Sequence, residues 1–191
     1  MHYNDFVLQL PNWMETFLSF QATVYPTVEE RMRLVIGLAQ QNIEHGTGGP
    51  FGAAIFDMET KQLLAPGVNL VTSVNSSVFH AEIVAIIFAQ QRVNTFNLGK
   101  EGLPPYELVT STEPCAMCFG AVPWSGVRQL VCGACDKDAR QIGFDEGPKL
   151  PDWQESLEVR GITVLRDVCR DEAVAVLKQY AERGGIIYNA R

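Results

Sequence analysis

His80-Ala81-Glu82 and Pro114-Cys115-Ala116-Met117-Cys118 are the two runs on which the reading of this chain turns. One imidazole and two thiols offer three ligands of the kind zinc takes, and a three-ligand set leaves one position of the zinc tetrahedron open to water. That is the arrangement of a catalytic site, since a structural zinc would recruit a fourth Cys or His. A helix beginning at Pro114, whose fixed φ and missing N–H suit a first helical position, puts Cys115 and Cys118 on one face at i and i+3. The unpaired N–H groups of a helix start also lower a thiol pKa, so thiolates are favoured there before any metal arrives. His80 opens a second apolar helical run, Ile83 to Phe88, for which Ser76 or Ser77 is available as a cap. Two helix starts are therefore expected to face one metal.

Glu82 is more useful unligated. A zinc with two thiolate ligands is a weaker Lewis acid than one held by histidines alone, so a nearby base must help. Glu82, two residues past His80, can take a proton from the attacking water and hand it on to the substrate as a general acid. The other candidate ligands read differently. Cys132 and Cys135 repeat the C-x-x-C spacing but lie in a strand-like apolar run without a spare histidine, which makes them structural thiols. Cys169 has no partner motif. His2 near the N-terminus and His45 at the end of a helical stretch read as solvated or capping residues.

Outward from the two runs, helical and strand-like periods alternate. Thr27-Val28-Glu29-Glu30 is a capping box that opens a helix through Leu34, Val35 and Leu38 to Ile43, ending near Gly46. Strands are expected at 51–58, 68–74, 106–112, 127–133 and 162–165, and helices at 80–91, 115–124, 136–142 and 171–183. The sum is a three-layer α/β/α sandwich around a mixed central sheet. The glycines between Gly46 and Gly52 join a helix to a strand, the wrong order for a phosphate cradle, and are read as a turn that presents Phe51.

A chain of 191 residues with 47% hydrophobic residues fits one domain with its own core. No apolar run is long enough to span a bilayer, and Met1 to Pro11 is unlike a secretory signal. Five cysteines, two of them wanted as thiolates, suit a reducing compartment, so a cytoplasmic location is expected. The formal net charge is -7. Asp and Glu outnumber Lys and Arg by 15 to 8 in residues 1–148 and equal them at 7 to 7 in residues 149–191. The clustered basic footprint that gripping nucleic-acid phosphates requires is missing, which argues against a nucleic-acid substrate.

The joint spacing H-x-E…P-C-x-x-C is that of zinc-dependent nucleobase deaminases. From Thr27 to its end the chain resembles the cytidine deaminase-like superfamily, and more narrowly the small bacterial guanine deaminases of that fold. The resemblance rests on the metal runs and on Gly49-Pro50-Phe51-Gly52-Ala53, Asn69, Thr112-Glu113-Pro114-Cys115, Cys118-Phe119-Gly120-Ala121, Trp124-Ser125-Gly126-Val127 and Ile142-Gly143-Phe144-Asp145-Glu146-Gly147-Pro148. It implies one catalytic zinc per subunit on His80, Cys115 and Cys118, with Glu82 and Glu146 moving protons. Asn69 and the main chain at Ala81 would bond the purine, Phe51 and Trp124 would border its ring, and Asp145 would help recognise the ring N–H groups. On residue type alone each aromatic could instead be core, and Asp145 and Glu146 could simply be solvated.

The implied reaction is hydrolytic deamination of a free purine base, guanine to xanthine and ammonia. Guanosine, an aminotriazine such as ammeline, or cytosine would use the same metal chemistry. A non-catalytic zinc-binding scaffold is the reading from a different class, and it would leave Glu82 dispensable. Residues 1–26 form an N-terminal extension of the single domain. Residues 184–191 form an apolar tail behind a Gly184-Gly185 hinge. The resemblance implies a homodimer in which this tail is exchanged, bringing Tyr188 to the partner's pocket.

Overall fold

The computed structural model describes residues 7–189; His2 and the last two residues of the tail lie outside the described residues. The capping box forms as expected: Thr27 accepts from the Glu30 N–H, and the Glu30 carboxylate reaches back to the Thr27 N–H at 2.8 Å. It opens α2 (Val28–Glu44), which follows α1 (Trp13–Ser19). After α2 come β1 (Gly52–Asp57), β2 (Leu63–Val68), α3 (Val71–Val74), α4 (Ala81–Arg92), β3 (Tyr106–Thr112) and α5 (Ala116–Ser125). The chain ends with β4 (Gln129–Ala134), α6 (Asp136–Gln141), α7 (Trp153–Glu158), β5 (Thr163–Leu165) and α8 (Arg170–Glu182).

The strands form one five-stranded sheet in the order β2-β1-β3-β4-β5. β1 is antiparallel to both β2 and β3, whereas β3, β4 and β5 run parallel, so the sheet is mixed. Side chains alternate between its two faces, and both faces are buried. Ala54, Phe56, Val109 and Val131 pack against Met32, Val35 and Ala39 of α2 and Ala173 and Leu177 of α8. Ala53, Ile55, Leu108 and Leu130 pack against Ala81 and Ala85 of α4, Val122 of α5 and Leu157 of α7. The period-two alternation with apolar residues on both sides is what makes a three-layer sandwich. Each fully buried aliphatic side chain contributes about 1.5–3 kcal/mol of burial.

Three local expectations are corrected. The second strand is Leu63–Val68, and Val71–Val74 is a helical turn. Pro66 and Gly67 are poor strand residues, but β2 is the edge of the sheet, where a proline that donates nothing is tolerated. α5 starts after Cys115, which is the N-cap with φ -63° and ψ 173°, so Pro114 precedes the helix and does not begin it. His80 is itself the N-cap of α4, and no serine side chain caps that helix. α1 and α7 are short helices that the sequence pattern passed over.

Candidate active site

The starts of α4 and α5, the beginning of β1 and the ends of β2 and β3 converge at one edge of the sheet, around a cavity of about 190 Å³. The placement follows from topology: in α/β sheets the carboxyl ends of parallel strands open into loops and helix starts that receive ligands. His80, Cys115 and Cys118 come together there, with ligand atoms all within 4.8 Å of one another. The His80 Nδ1 lies 3.4 Å from the Cys115 Sγ. Zinc bonds of about 2.0–2.3 Å in a tetrahedron put ligand atoms roughly 3.5 Å apart, so the triangle fits the ion.

The electrostatics fit it as well. Hydrogen bonding from Cys118, against an opposing burial cost, and the His80 ring hold the Cys115 thiol down at about 4. Its neighbour behaves oppositely: the Cys115 contact, burial and the nearby Glu82 carboxyl push the Cys118 thiol well up. A pair of sulfurs in which only one ionises readily is what two anions without a counter-cation look like, and a divalent cation between them removes the conflict.

Glu82 is buried one helical residue past Ala81, with its Oε2 3.4 Å from the Cys118 Sγ. Burial first, then the Cys115 charge, raises its carboxyl above the ordinary range. Glu146 is also buried and faces the cavity, and burial, Cys115 and Glu82 push it up to about 8. Its loop is pinned to the metal end, because the Glu146 carbonyl accepts the otherwise unpaired Ala116 N–H at the start of α5 (2.9 Å). Lys149 holds the same loop from behind, donating to the Pro114 carbonyl at 3.2 Å and pairing with the buried Glu113.

Asn69 sits directly after β2, fully buried, and lines the cavity. Its Oδ1 accepts from the Gly49 and Val71 N–H groups at 3.3 and 3.2 Å, while its Nδ2 has no protein partner. Gly48 makes this possible. A Cβ there would stand 1.8 Å from the Asn69 carbonyl oxygen, so only glycine lets the two strands of chain approach. Phe51 lines the cavity and packs edge-on to Phe144 at 4.9 Å.

Tyr188 closes the site from the tail of the same chain. Its ring lies 5.0 Å from Phe144 and 6.4 Å from His80, and burial raises its hydroxyl well above the usual range. Asn189 fastens the tail, accepting from the Asp145 N–H at 2.9 Å and donating to the Gly143 carbonyl at 2.8 Å.

One expected pocket residue belongs elsewhere, and a second stands at the cavity rim. Trp124 is 85% exposed at the end of α5 and borders a separate groove with Phe119, Pro123 and Leu150. The helix carries its ring away from the metal, because the face of α5 that bears Cys118 and Val122 is the buried one. Asp145 is at the rim, where its carboxylate accepts from Arg140 and from the Gly147 N–H, so it shapes the loop beside Glu146. Ala81 is buried against the sheet and adds no side chain to the cavity wall. Cys132 is buried and Cys135 caps α6, in keeping with structural roles, and His45 is the C-cap of α2.

Phe144, Asn189 and Asn42 are the functional neighbours that the sequence reading passed over. Asn42 left a signal: it continues the apolar stripe of Val35 and Leu38 at i+7 and i+4, so a polar side chain is aimed into the interior. It donates to the Gly49 and Asn69 carbonyls. Asn189 left none, because only the folded tail brings it to residue 145.

A family model described as "Cytidine and deoxycytidylate deaminase zinc-binding region" matches residues 26–134. The guanine deaminase of Bacillus subtilis (strain 168) is 36% identical over 118 residues, spanning 62% of this chain and 71% of that protein. A solved structure of guanine deaminase from Nitrosomonas europaea is 45% identical, covers 95% of this chain and 100% of its own, and superposes with a TM-score of 0.89. A second solved structure, a complex with 2,6-diaminopurine, is 46% identical over 97% of each chain, with a TM-score of 0.89.

Proposed function

The chain belongs to the cytidine and deoxycytidylate deaminase zinc-binding family, and from its similarity to guanine deaminases within that fold we propose that it hydrolyses guanine to xanthine and ammonia. One observation supports guanine over a smaller or differently edged base. Two buried carboxyls, Glu82 and Glu146, and one buried amide N–H pair, on Asn69, line a single cavity walled by Phe51, Phe144 and Tyr188. Guanine carries N–H donors at N1 and at the exocyclic amine and acceptors on its other edges, so both kinds of group find partners. The aromatic walls suit a flat ring.

His80, Cys115 and Cys118 would hold the zinc, and what it supplies when bound is Lewis acidity toward the attacking water. The chain's own residues move the protons. Glu82 takes a proton from the water as its oxygen bonds to the amine-bearing carbon, and delivers that proton to the adjacent ring nitrogen. Glu82, assisted by Glu146 in the same cavity, then carries the remaining hydroxyl proton to the amine as the carbonyl forms, the carbon–nitrogen bond breaks and ammonia leaves. Asn69 orients the base, and Tyr188 covers the cavity and excludes bulk water.

The chain acts as one catalytic domain with residues 1–26 as an extension, in a homodimer whose tails are exchanged. The tail contacts support exchange as readily as closure onto the same chain, because they would be identical whichever subunit supplied Tyr188 and Asn189. Gly184, at φ +69°, is the natural hinge between α8 and the tail. The five free thiols support a cytoplasmic location. Among the described residues no helix is long and apolar enough to cross a membrane.

A panel of guanine, guanosine, cytosine, adenine and ammeline, scored for ammonia release by the zinc-loaded protein, tests the assignment. Guanine should be turned over fastest. Preferential release from cytosine or ammeline would replace guanine with that substrate.

A further inference from the structure

α1 lies outside the residues that the family model matches, yet it is wired to the base-recognising amide. The Trp13 indole stacks flat on His45, with centroids 5.5 Å apart and planes 6° from parallel, and its Nε1–H donates to the Thr47 hydroxyl at 3.0 Å. The Thr47 hydroxyl donates to the Asn42 Oδ1 at 2.7 Å. The Asn42 Nδ2 then donates to the carbonyls of Gly49 at 2.9 Å and Asn69 at 2.8 Å.

Every link has one polarity. An indole N–H can only donate, so Thr47 must accept from it and spend its single proton on Asn42. Asn42 presents its oxygen to Thr47, whose hydroxyl also lies 3.4 Å from the Asn42 main-chain carbonyl, and its two N–H groups to the Gly49 and Asn69 carbonyls, since the flipped amide would set oxygen against oxygen. Those carbonyls belong to Asn69 itself and to Gly49, so Asn42 ties the two segments together, and the Asn69 side-chain oxygen is consumed by the Gly49 and Val71 N–H groups. The buried Nδ2 is left to donate into the cavity.

We propose that Trp13, Thr47 and Asn42 are positioning residues through which the N-terminal helix locks Asn69 as a hydrogen-bond donor, so that a base is accepted only with an acceptor atom facing it. This rests on the guanine assignment for its assay, but the wiring is independent of which base is bound. It also gives α1 a part in substrate recognition.

The test uses the zinc-loaded full chain and five variants: Thr47→Val, Thr47→Ser, Trp13→Phe, Asn69→Ala and the double variant Thr47→Val/Asn69→Ala. Zinc content and melting temperature are measured beside kcat and KM for guanine. Thr47→Val keeps the shape but breaks the wire, and should lower kcat/KM about tenfold, chiefly through KM, with zinc retained. Thr47→Ser should restore most of the loss, and Trp13→Phe, which keeps the stacked ring, should fall between Thr47→Val and wild type. In the double variant, Thr47→Val should add nothing to Asn69→Ala, because it acts only through that amide.

A Thr47→Val enzyme within twofold of wild type would overturn the relay, as would full additivity in the double variant or an Asn69→Ala enzyme with unchanged turnover. A wild-type protein that ignores guanine but deaminates another base overturns the substrate assignment alone, since the same variants are then compared on that base.

Discussion

At the metal end of the cavity, His80, Cys115 and Cys118 come from two short runs at the starts of two helices; at the base end, Phe51, Asn69, Phe144, Glu146 and Tyr188 come from loops spread along the chain. The first arrangement is set by local geometry, since an N-cap residue and the residue three places on share a face of the first turn. The second depends on long-range contacts: Gly48 letting the Asn69 carbonyl approach, the Ala116 N–H holding the Glu146 loop, Asn189 tying the tail to residues 143–145. Damage at the metal end should therefore be local and all-or-none, whereas damage at the base end should be graded and spare the metal.

The sharpest separation is between two residues of the metal end itself. Cys115→Ala removes a ligand, so zinc, activity and part of the folding stability should be lost together. Glu82→Gln should keep a full zinc equivalent and lose the proton carrier, lowering guanine turnover on the order of a hundredfold or more. Metal analysis beside ammonia release checks both. A Glu82→Gln protein at near wild-type rate would overturn Glu82 as the proton carrier, and a zinc-replete Cys115→Ala protein would break the ligand assignment.

Deleting residues 185–191 probes the base end. Most guanine turnover should disappear while zinc stays bound, because Tyr188 and Asn189 leave the cavity and its rim. Mixing the truncated protein with Glu82→Gln subunits should restore part of the activity if tails are exchanged, since each defective subunit supplies what the other lacks. No restoration would mean that each tail serves its own chain, as it does in the single chain described here.

The same division explains what could be read from sequence. The ligands, Glu82, both sheet faces and the α2 capping box were legible because each depends on spacing or periodicity within a few residues. β2 was misplaced by five to six residues because Pro66 and Gly67 look like breakers until the strand is known to be an edge. Trp124 was misjudged because an aromatic at a helix end gives no sign of which way its helix faces. Phe144 stood in a quoted motif, but its place against Phe51 and Tyr188 exists only after the tail returns to the sheet.

The smallest expected effect lies where the base end is rooted. α6 leads into the loop that carries Glu146, and Asp138 fastens that helix twice, accepting from the Cys135 N–H at 2.9 Å and from two nitrogens of Arg170 at 2.9 and 3.0 Å. The Arg170 guanidinium and the Cys135 hydrogen bonds hold the Asp138 carboxyl down at about 2. A folded-state value below the unfolded value of about 3.9 means that the charged form stabilises the fold. That contribution is complete above pH ~5 and is lost as the pH falls from about 4 toward about 2. Arg170 is exposed enough that solvent screens the pair and keeps its contribution small. Asp138→Asn should therefore lower the melting temperature by about 2–4 °C at neutral pH, with zinc content unchanged. The gap should hold down to pH ~5 and close below about pH 4, as wild-type Asp138 takes up its proton. A gap that stays constant to pH ~3 would show that the Asp138 charge is not its source, and a loss of zinc in the variant would show that α6 does not act on the base end separately from the metal.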